Sequence, residues 1–169
     1  MKQQEVNALI ANQRDSNVSD VPKKNIDAFL RTIRYAEGTS GANGYKTMYG
    51  GGLFQSYADH PRIVKCYNTS NGKLCSDAAG AYQFLSTTWD GLKSKLKLAD
   101  FSPINQDAAA IQKIYERGAL DYVVSGQFAL AIDKCKEEWA SLPGSPYGQP
   151  TKSLAELSSV YSSNGGSSA

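Results

Sequence analysis

The sequence predicts an α+β domain, a mostly helical body with one small β lobe, on three observations. Apolar residues recur at helical spacing over 26–36, 85–96, 104–115 and 128–139. Between the first two of these stretches, residues 41–81 turn glycine-rich and carry short strand-like segments around an Asn71-Gly72 turn signal. A length of 169 residues, 41% hydrophobic and 20% charged, suits one soluble domain able to bury a core.

Each element follows from local chemistry. Residues 1–20 are polar and end in SNVSD, a loose or accessory N-terminal arm. Asp20 and Pro22 mark the start of the first long helix, whose stripe is Ile26, Phe29, Leu30, Ile33 and Ala36. Gly38 is placed to stop it. GLFQSYADH and RIVKCY then read as short segments of an irregular β region. Leu85, Trp89, Leu92 and Leu96 line the next helix, with Ser86 and Thr87 as candidate caps. Ser102-Pro103 opens another, through Ile104, Ala108, Ile111 and Tyr115, which Gly118 closes. Phe128 to Trp139 gives a further helix ended by LPGSP, and Ser153 with Glu156 offers a capping box for the last, through Leu157 and Tyr161. SSNGGSSA reads as a flexible tail. The division is therefore an arm over 1–20, a domain over 21–161 and a tail over 162–169.

Composition excludes several functions. No apolar run approaches the roughly 18 residues of a membrane span, so no stable membrane insertion is expected. The N-terminal MKQQEVNALIANQRDSN lacks the apolar centre of a secretion signal. A net charge of +2 is too small to argue for a nucleic-acid partner. Three cysteines and the single His60 do not supply four ligands at zinc spacing, so no metal is expected. Cys135 shares a helical stripe with Phe128, Ile132 and Trp139 and reads as core. Cys66 and Cys75 flank YNTSNGKL. They face each other if Thr69 to Gly72 form a four-residue loop, whereas a strict Asn71-Gly72 turn pairs Cys66 with Asp77. A disulfide is compatible with the sequence but not required by it.

One acid stands out. Glu37 follows Ile33 by four residues, Leu30 by seven and Ile26 by eleven, offsets that place it on the buried face of the first helix. Burial disfavours its charged form, and so does the negative end of the helix dipole. Both raise its pKa, which is what a general acid working near neutral pH requires. The alternative is a structural glutamate paired with Arg34 or another cation, since ion pairs also perturb titration.

The motifs AEGT, GY, GGGLFQSYADHPR, AGAYQF, SPINQDAAA, ERGAL and WASLPGSPYGQ, in that order over about Asn25 to Leu157, resemble the bacteriophage lambda lysozyme family. Those endolysins are peptidoglycan lytic transglycosylases. The resemblance implies a lysozyme-like fold and a cofactor-free, monomeric enzyme whose partner is the peptidoglycan glycan strand. It implies that Glu37 is the single essential acid, cleaving between N-acetylmuramic acid and N-acetylglucosamine to leave a 1,6-anhydro end. It further implies accumulation in the host cytoplasm and holin-mediated release to the wall, where a Cys66–Cys75 disulfide would form only after reaching the oxidising periplasm.

The supporting residues are carried over in the same way. AGAYQF is similar to the glycine-x-x-glutamine element of lytic transglycosylases, which makes Tyr82 and Gln83 substrate contacts; the alternative has Tyr82 and Phe84 as core aromatics. Tyr147 and Gln149 resemble the pair that lines the family's groove. Asp59 in YADHPR is the nearest thing to a second carboxylate at the groove, against a turn-forming role before His60-Pro61. Lys46 stands where the family can carry an acid, which weighs against a two-acid mechanism. Ser141 could reach the groove, though nothing local places it there. His60 reads as structural, Glu116 as internally paired, and Asn105, Gln106 and Asp107 as first-turn residues of a helix. A hydrolytic muramidase and a non-catalytic wall-binding module remain the competing functions.

Overall fold

The computed structural model describes all of residues 1–169, in seven α-helices and one two-stranded antiparallel sheet. The chain forms two compact units, one built from residues 1–37 with 110–169 and the other from residues 38–109. No helix is long and apolar enough to cross a membrane.

The first unit holds helices α1 (Gln3–Arg14), α2 (Val21–Glu37), the end of α4 (Pro103–Glu116), α5 (Leu120–Val124), α6 (Phe128–Cys135) and α7 (Leu154–Ser163). The Asp20 carboxylate accepts the Lys23 amide hydrogen at 3.0 Å and so caps α2. Ile26, Phe29, Leu30 and Ile33 are buried as their spacing demands. Phe29 meets Phe128 edge-on at 5.9 Å between centroids, and Phe128 packs on Tyr161 at 4.5 Å. Gly38, at φ +77°, ends α2 in the left-handed conformation that its lack of a Cβ permits. At α7 the Ser153 hydroxyl accepts the Glu156 amide at 3.1 Å. The other half of the expected capping box is spent elsewhere, because the Glu156 carboxylate takes the Tyr35 hydroxyl.

Residues 1–20, read as a polar arm, contain α1. It buries one apolar side chain, Val6, and its Gln3 exchanges hydrogen bonds with the buried Gln112 amide at 2.7 and 3.0 Å. At the other terminus, the Ser167 amide and hydroxyl donate to Asn25 Oδ1, and the Ala169 amide donates to the Gly126 carbonyl. The helix expected over 128–139 ends at Cys135, and the short α5 is an element the periodicity did not announce.

The second unit is built on Phe54, Phe84, Trp89 and Phe101, with Trp89 edge-on to Phe101 at 4.7 Å. His60 is buried among them. Its Nε2 hydrogen bonds the Phe84 carbonyl at 2.7 Å and its Nδ1 accepts the Arg62 amide at 3.0 Å. With both nitrogens used and burial pushing its pKa down, the ring is neutral and structural. Helix α3 (Ser86–Leu96) is capped differently from expectation: Leu85 occupies the cap position, and the Asp77 carboxylate accepts the Ser86 amide at 3.1 Å.

The strands are fewer than the sequence suggested. Strand β1 (Lys65–Thr69) pairs with β2 (Gly72–Ser76) through a two-residue Ser70-Asn71 turn, and GLFQSYADH contributes only an isolated bridge, Thr47 to Leu53. The register sets Cys66 opposite Cys75, and the two are joined by a disulfide. Tyr67 of β1 lies against Tyr49 and covers Gly50, where a Cβ would overlap its ring. The strands are otherwise largely exposed, and a two-stranded hairpin alone is marginal in water. Replacing both cysteines by serine is expected to cost about 2.5 kcal/mol, the loop-closure value for a link of this span. Urea unfolding in the presence and absence of a reductant checks it, and the reductant should have no effect on the double variant.

Candidate active site

Glu37 is the last residue of α2, so its carboxyl sits where backbone carbonyls lack intrahelical partners and negative charge is disfavoured. The residue is half-buried. Burial pushes its pKa up to about 7, and a hydrogen bond from the Ser141 hydroxyl to Oε2 pulls in the opposite direction. No other ionisable group enters this balance. No neighbouring carboxylate drives it. The result is an acid poised near neutral pH, able to hold a proton and to release it to a basic atom placed against it.

Ser141 is brought to Glu37 by the segment that follows α6. Trp139 and Leu142 are buried on either side of it, and the Ser141 carbonyl accepts the Lys152 amide at 2.9 Å. Tyr147 and Gln149 lie exposed farther along the same segment, and neither bonds to Glu37. Tyr147 instead gives its hydroxyl to the Glu137 carbonyl at 2.6 Å, which leaves its ring face as its free surface.

In the second unit Gln83 occupies a left-handed backbone position, φ +50°, unusual for a residue with a Cβ. Its Nε2 donates to the Thr47 carbonyl at 2.9 Å and to the Gly80 carbonyl at 2.8 Å. Two carbonyls can face only the amide nitrogen, so the orientation is fixed and Oε1 is the atom left to accept from a ligand. Gly80 is needed here. It sits at φ +84°, and a Cβ on it would overlap the Gln106 side chain.

Tyr82 departs from the substrate role expected of it. It is fully buried, and its hydroxyl donates to Asp107 Oδ1 at 2.6 Å. The same oxygen accepts Tyr45 at 2.8 Å. The alternative, a core aromatic, fits this burial: Tyr82 packs against Tyr45 and Phe84. Gln106 is buried beside them, accepting the Ala81 amide at 2.9 Å and donating to the Tyr45 and Phe101 carbonyls. Thr39, two residues after the acid, donates its hydroxyl to the Ala81 carbonyl at 2.5 Å.

Asp59 is held by Arg62 Nε at 3.0 Å, with Lys93 Nζ at 3.6 Å. Burial works against its charge, but the Arg62 hydrogen bond, the His60 backbone amide and Lys93 outweigh it and keep the carboxyl below the usual range. Ionised and paired at neutral pH, it is no proton donor. Glu116 is paired as expected, with Lys113 at 3.5 Å. No group of three or more His, Cys, Asp or Glu side chains is placed to hold a metal.

A family model described as Endolysin matches residues 27–168. The chain belongs to the endolysin family. Its relatives include the endolysin of Escherichia phage lambda, 44% identical over 145 residues covering 82% of this chain and 90% of the relative. The endolysin of Escherichia phage P2 is 41% identical over 157 residues, covering 85% and 94%. Among solved structures, bacteriophage lambda lysozyme complexed with a chitohexasaccharide superposes with a TM-score of 0.80 at 41% identity, over 90% of this chain and all of that one. A second structure of lysozyme from bacteriophage lambda gives 0.78 at 39% identity over the same shares. The endolysin assignment brings with it the lysozyme-like α+β fold and a lysozyme-type enzyme that acts in lysis of the bacterial cell wall.

Proposed function

We propose that the chain cleaves the β-1,4 bond between N-acetylmuramic acid and N-acetylglucosamine by lytic transglycosylation, with Glu37 as its only acid and base. The observation that carries this reading is the placement of Glu37 at the end of α2, where burial raises its pKa to about 7 so that a large share of it holds a proton near neutral pH. Glu37 gives its proton to the glycosidic oxygen as the C1–O4 bond breaks, and the N-acetylglucosamine side leaves with that hydrogen. The muramoyl C6 hydroxyl then attacks C1, the C1–O6 bond forms, and the hydroxyl proton returns to Glu37. No water is consumed and the catalyst is restored. Paired-carboxylate glycosidases need a second group to activate water or to act as nucleophile, and the ion-paired Asp59 is an unsuitable one.

Gln83 Oε1 accepts from an acetamido N–H or a sugar hydroxyl. The Tyr147 ring gives a flat face to a pyranose, and Gln149 and Asp59 are further polar contacts to the strand. The chitohexasaccharide bound by the lambda relative supports a glycan strand as the ligand. In a host the enzyme accumulates in the cytoplasm and reaches the wall through a holin lesion.

Mass spectrometry of digested peptidoglycan tests the chemistry. Muramoyl ends lighter by one water than reducing ends are the expected product. Ends that are all reducing would mean hydrolysis and would overturn transglycosylation while leaving the acid in place.

A further inference from the structure

We propose that Ser141 is a positioning residue for the acid: its hydroxyl commits Glu37 Oε2 to accepting a hydrogen bond and so confines the transferable proton to Oε1. This rests on the reading of Glu37 as acid and base given above.

A carboxyl group has two oxygens of equal basicity, and a proton that hops between them is presented to the substrate only part of the time. The Ser141 hydroxyl removes that symmetry. It donates to Glu37 Oε2, and an oxygen that accepts such a bond is the carbonyl-like one in the protonated acid. In the ionised state the same hydroxyl bonds a carboxylate, a charge-assisted and therefore stronger interaction. Its influence is thus largest in the half-cycle where Glu37 must act as a base.

The hydroxyl is held in place by its own surroundings. Trp139 and Leu142 are buried before and after it, the Leu142 amide bonds back to the Trp139 carbonyl at 3.1 Å, and the Ser141 carbonyl accepts the Lys152 amide at 2.9 Å. A side chain with one rotatable hydroxyl on a pinned backbone can direct a neighbour as a mobile surface serine cannot.

The ionisable groups nearby are otherwise occupied. Tyr35, two residues before the acid on α2, gives its hydroxyl to Glu156 of α7. Lys152 lies over the Tyr35 ring at 5.5 Å. After α6, Glu137 and Glu138 pair with Arg117, and Lys136 pairs with Asp133. Burial raises the Glu37 pKa and the Ser141 hydroxyl lowers it, so removing the hydroxyl leaves burial less opposed.

The test is Ser141→Ala beside Ser141→Thr, which keeps the hydroxyl. Two quantities are read: the titration midpoint of the Glu37 carboxyl carbon by NMR in the free protein, and kcat and KM on peptidoglycan against pH. With Ala the midpoint should rise by about one pH unit, the usual effect of losing a hydrogen bond to a carboxylate. The kcat should fall roughly tenfold with KM little changed, as one positioned donor would dictate. Thr should keep the wild-type midpoint and most of kcat. An unmoved midpoint in the Ala variant overturns the proposal, and so does an equal displacement in the Ala and Thr variants, because packing and not the hydroxyl would then be responsible. The NMR midpoint needs no turnover, so a protein whose digest products contradict transglycosylation would still report on Ser141.

Discussion

Glu37→Gln is expected to lower kcat on peptidoglycan roughly 10³-fold or more, within the range that a positioned general acid contributes. Glutamine preserves the shape of the side chain and an oxygen that can still accept the Ser141 hydroxyl, but it has no proton of suitable acidity to give to the glycosidic oxygen. It also cannot take up the proton of the C6 hydroxyl. Under the proposed mechanism one group performs both transfers, so no partial pathway survives through a second carboxylate; Asp59 is ionised and tied to Arg62 and Lys93. KM should stay within a few-fold of wild type, since the proposed substrate contacts, Gln83 Oε1 among them, are untouched. The rate of release of soluble muropeptides, read across pH, measures it. Wild type should decline above pH about 7, where Glu37 loses its proton, and the variant should show a flat, residual rate. A variant that lyses permeabilised cells at the wild-type rate would remove Glu37 from the chemistry altogether.

What the sequence made legible follows a physical divide. Helix α2 was readable because three signals agree in it: the Asp20 cap, the apolar spacing and Gly38. The same periodicity placed Glu37 on the inner face, and burial is indeed what dominates its titration. Ser141 lies 104 positions away from Glu37, and its role comes from a hydrogen bond that only folding creates. A serine between Ala140 and Leu142 carries no local signal of that kind. Asp107 and Gln106 were read as first-turn residues because that is their local option, but the fold uses them to receive two tyrosine hydroxyls and to hold the Ala81 amide. Tyr82 was misplaced for a related reason. An aromatic beside Gln83 can face a ligand or the floor beneath it, and alternation along the chain does not say which face is wet. The hairpin register was ambiguous by two residues in sequence. The turn settles on Ser70-Asn71, which keeps Gly72 in the strand at φ +96° and lets the two cysteines meet.

The proposed acid also weakens the fold, in a way that pH exposes. In the unfolded chain Glu37 titrates near its ordinary value of 4.5, and in the folded protein at about 7. Below 4.5 both states hold the proton and the group is neutral towards stability. Between the two values the folded state alone keeps it, so each step up in pH favours unfolding. Above 7 both states are ionised and the full cost, about 3 kcal/mol, is carried by the folded protein. Glu37→Gln never ionises. Its stability relative to wild type should therefore grow as pH rises from 4.5 to 8, by about 3 kcal/mol in all, or roughly 6–12 °C in melting temperature for a chain of this size. Any fixed cost of seating an amide in the pocket shifts the variant equally at every pH and leaves that slope untouched. The measurement is a pair of thermal or urea unfolding series at matched ionic strength between pH 4 and 8. Parallel curves would show that the carboxyl titrates alike in both states, and a carboxyl left ionised at neutral pH could not serve as the acid.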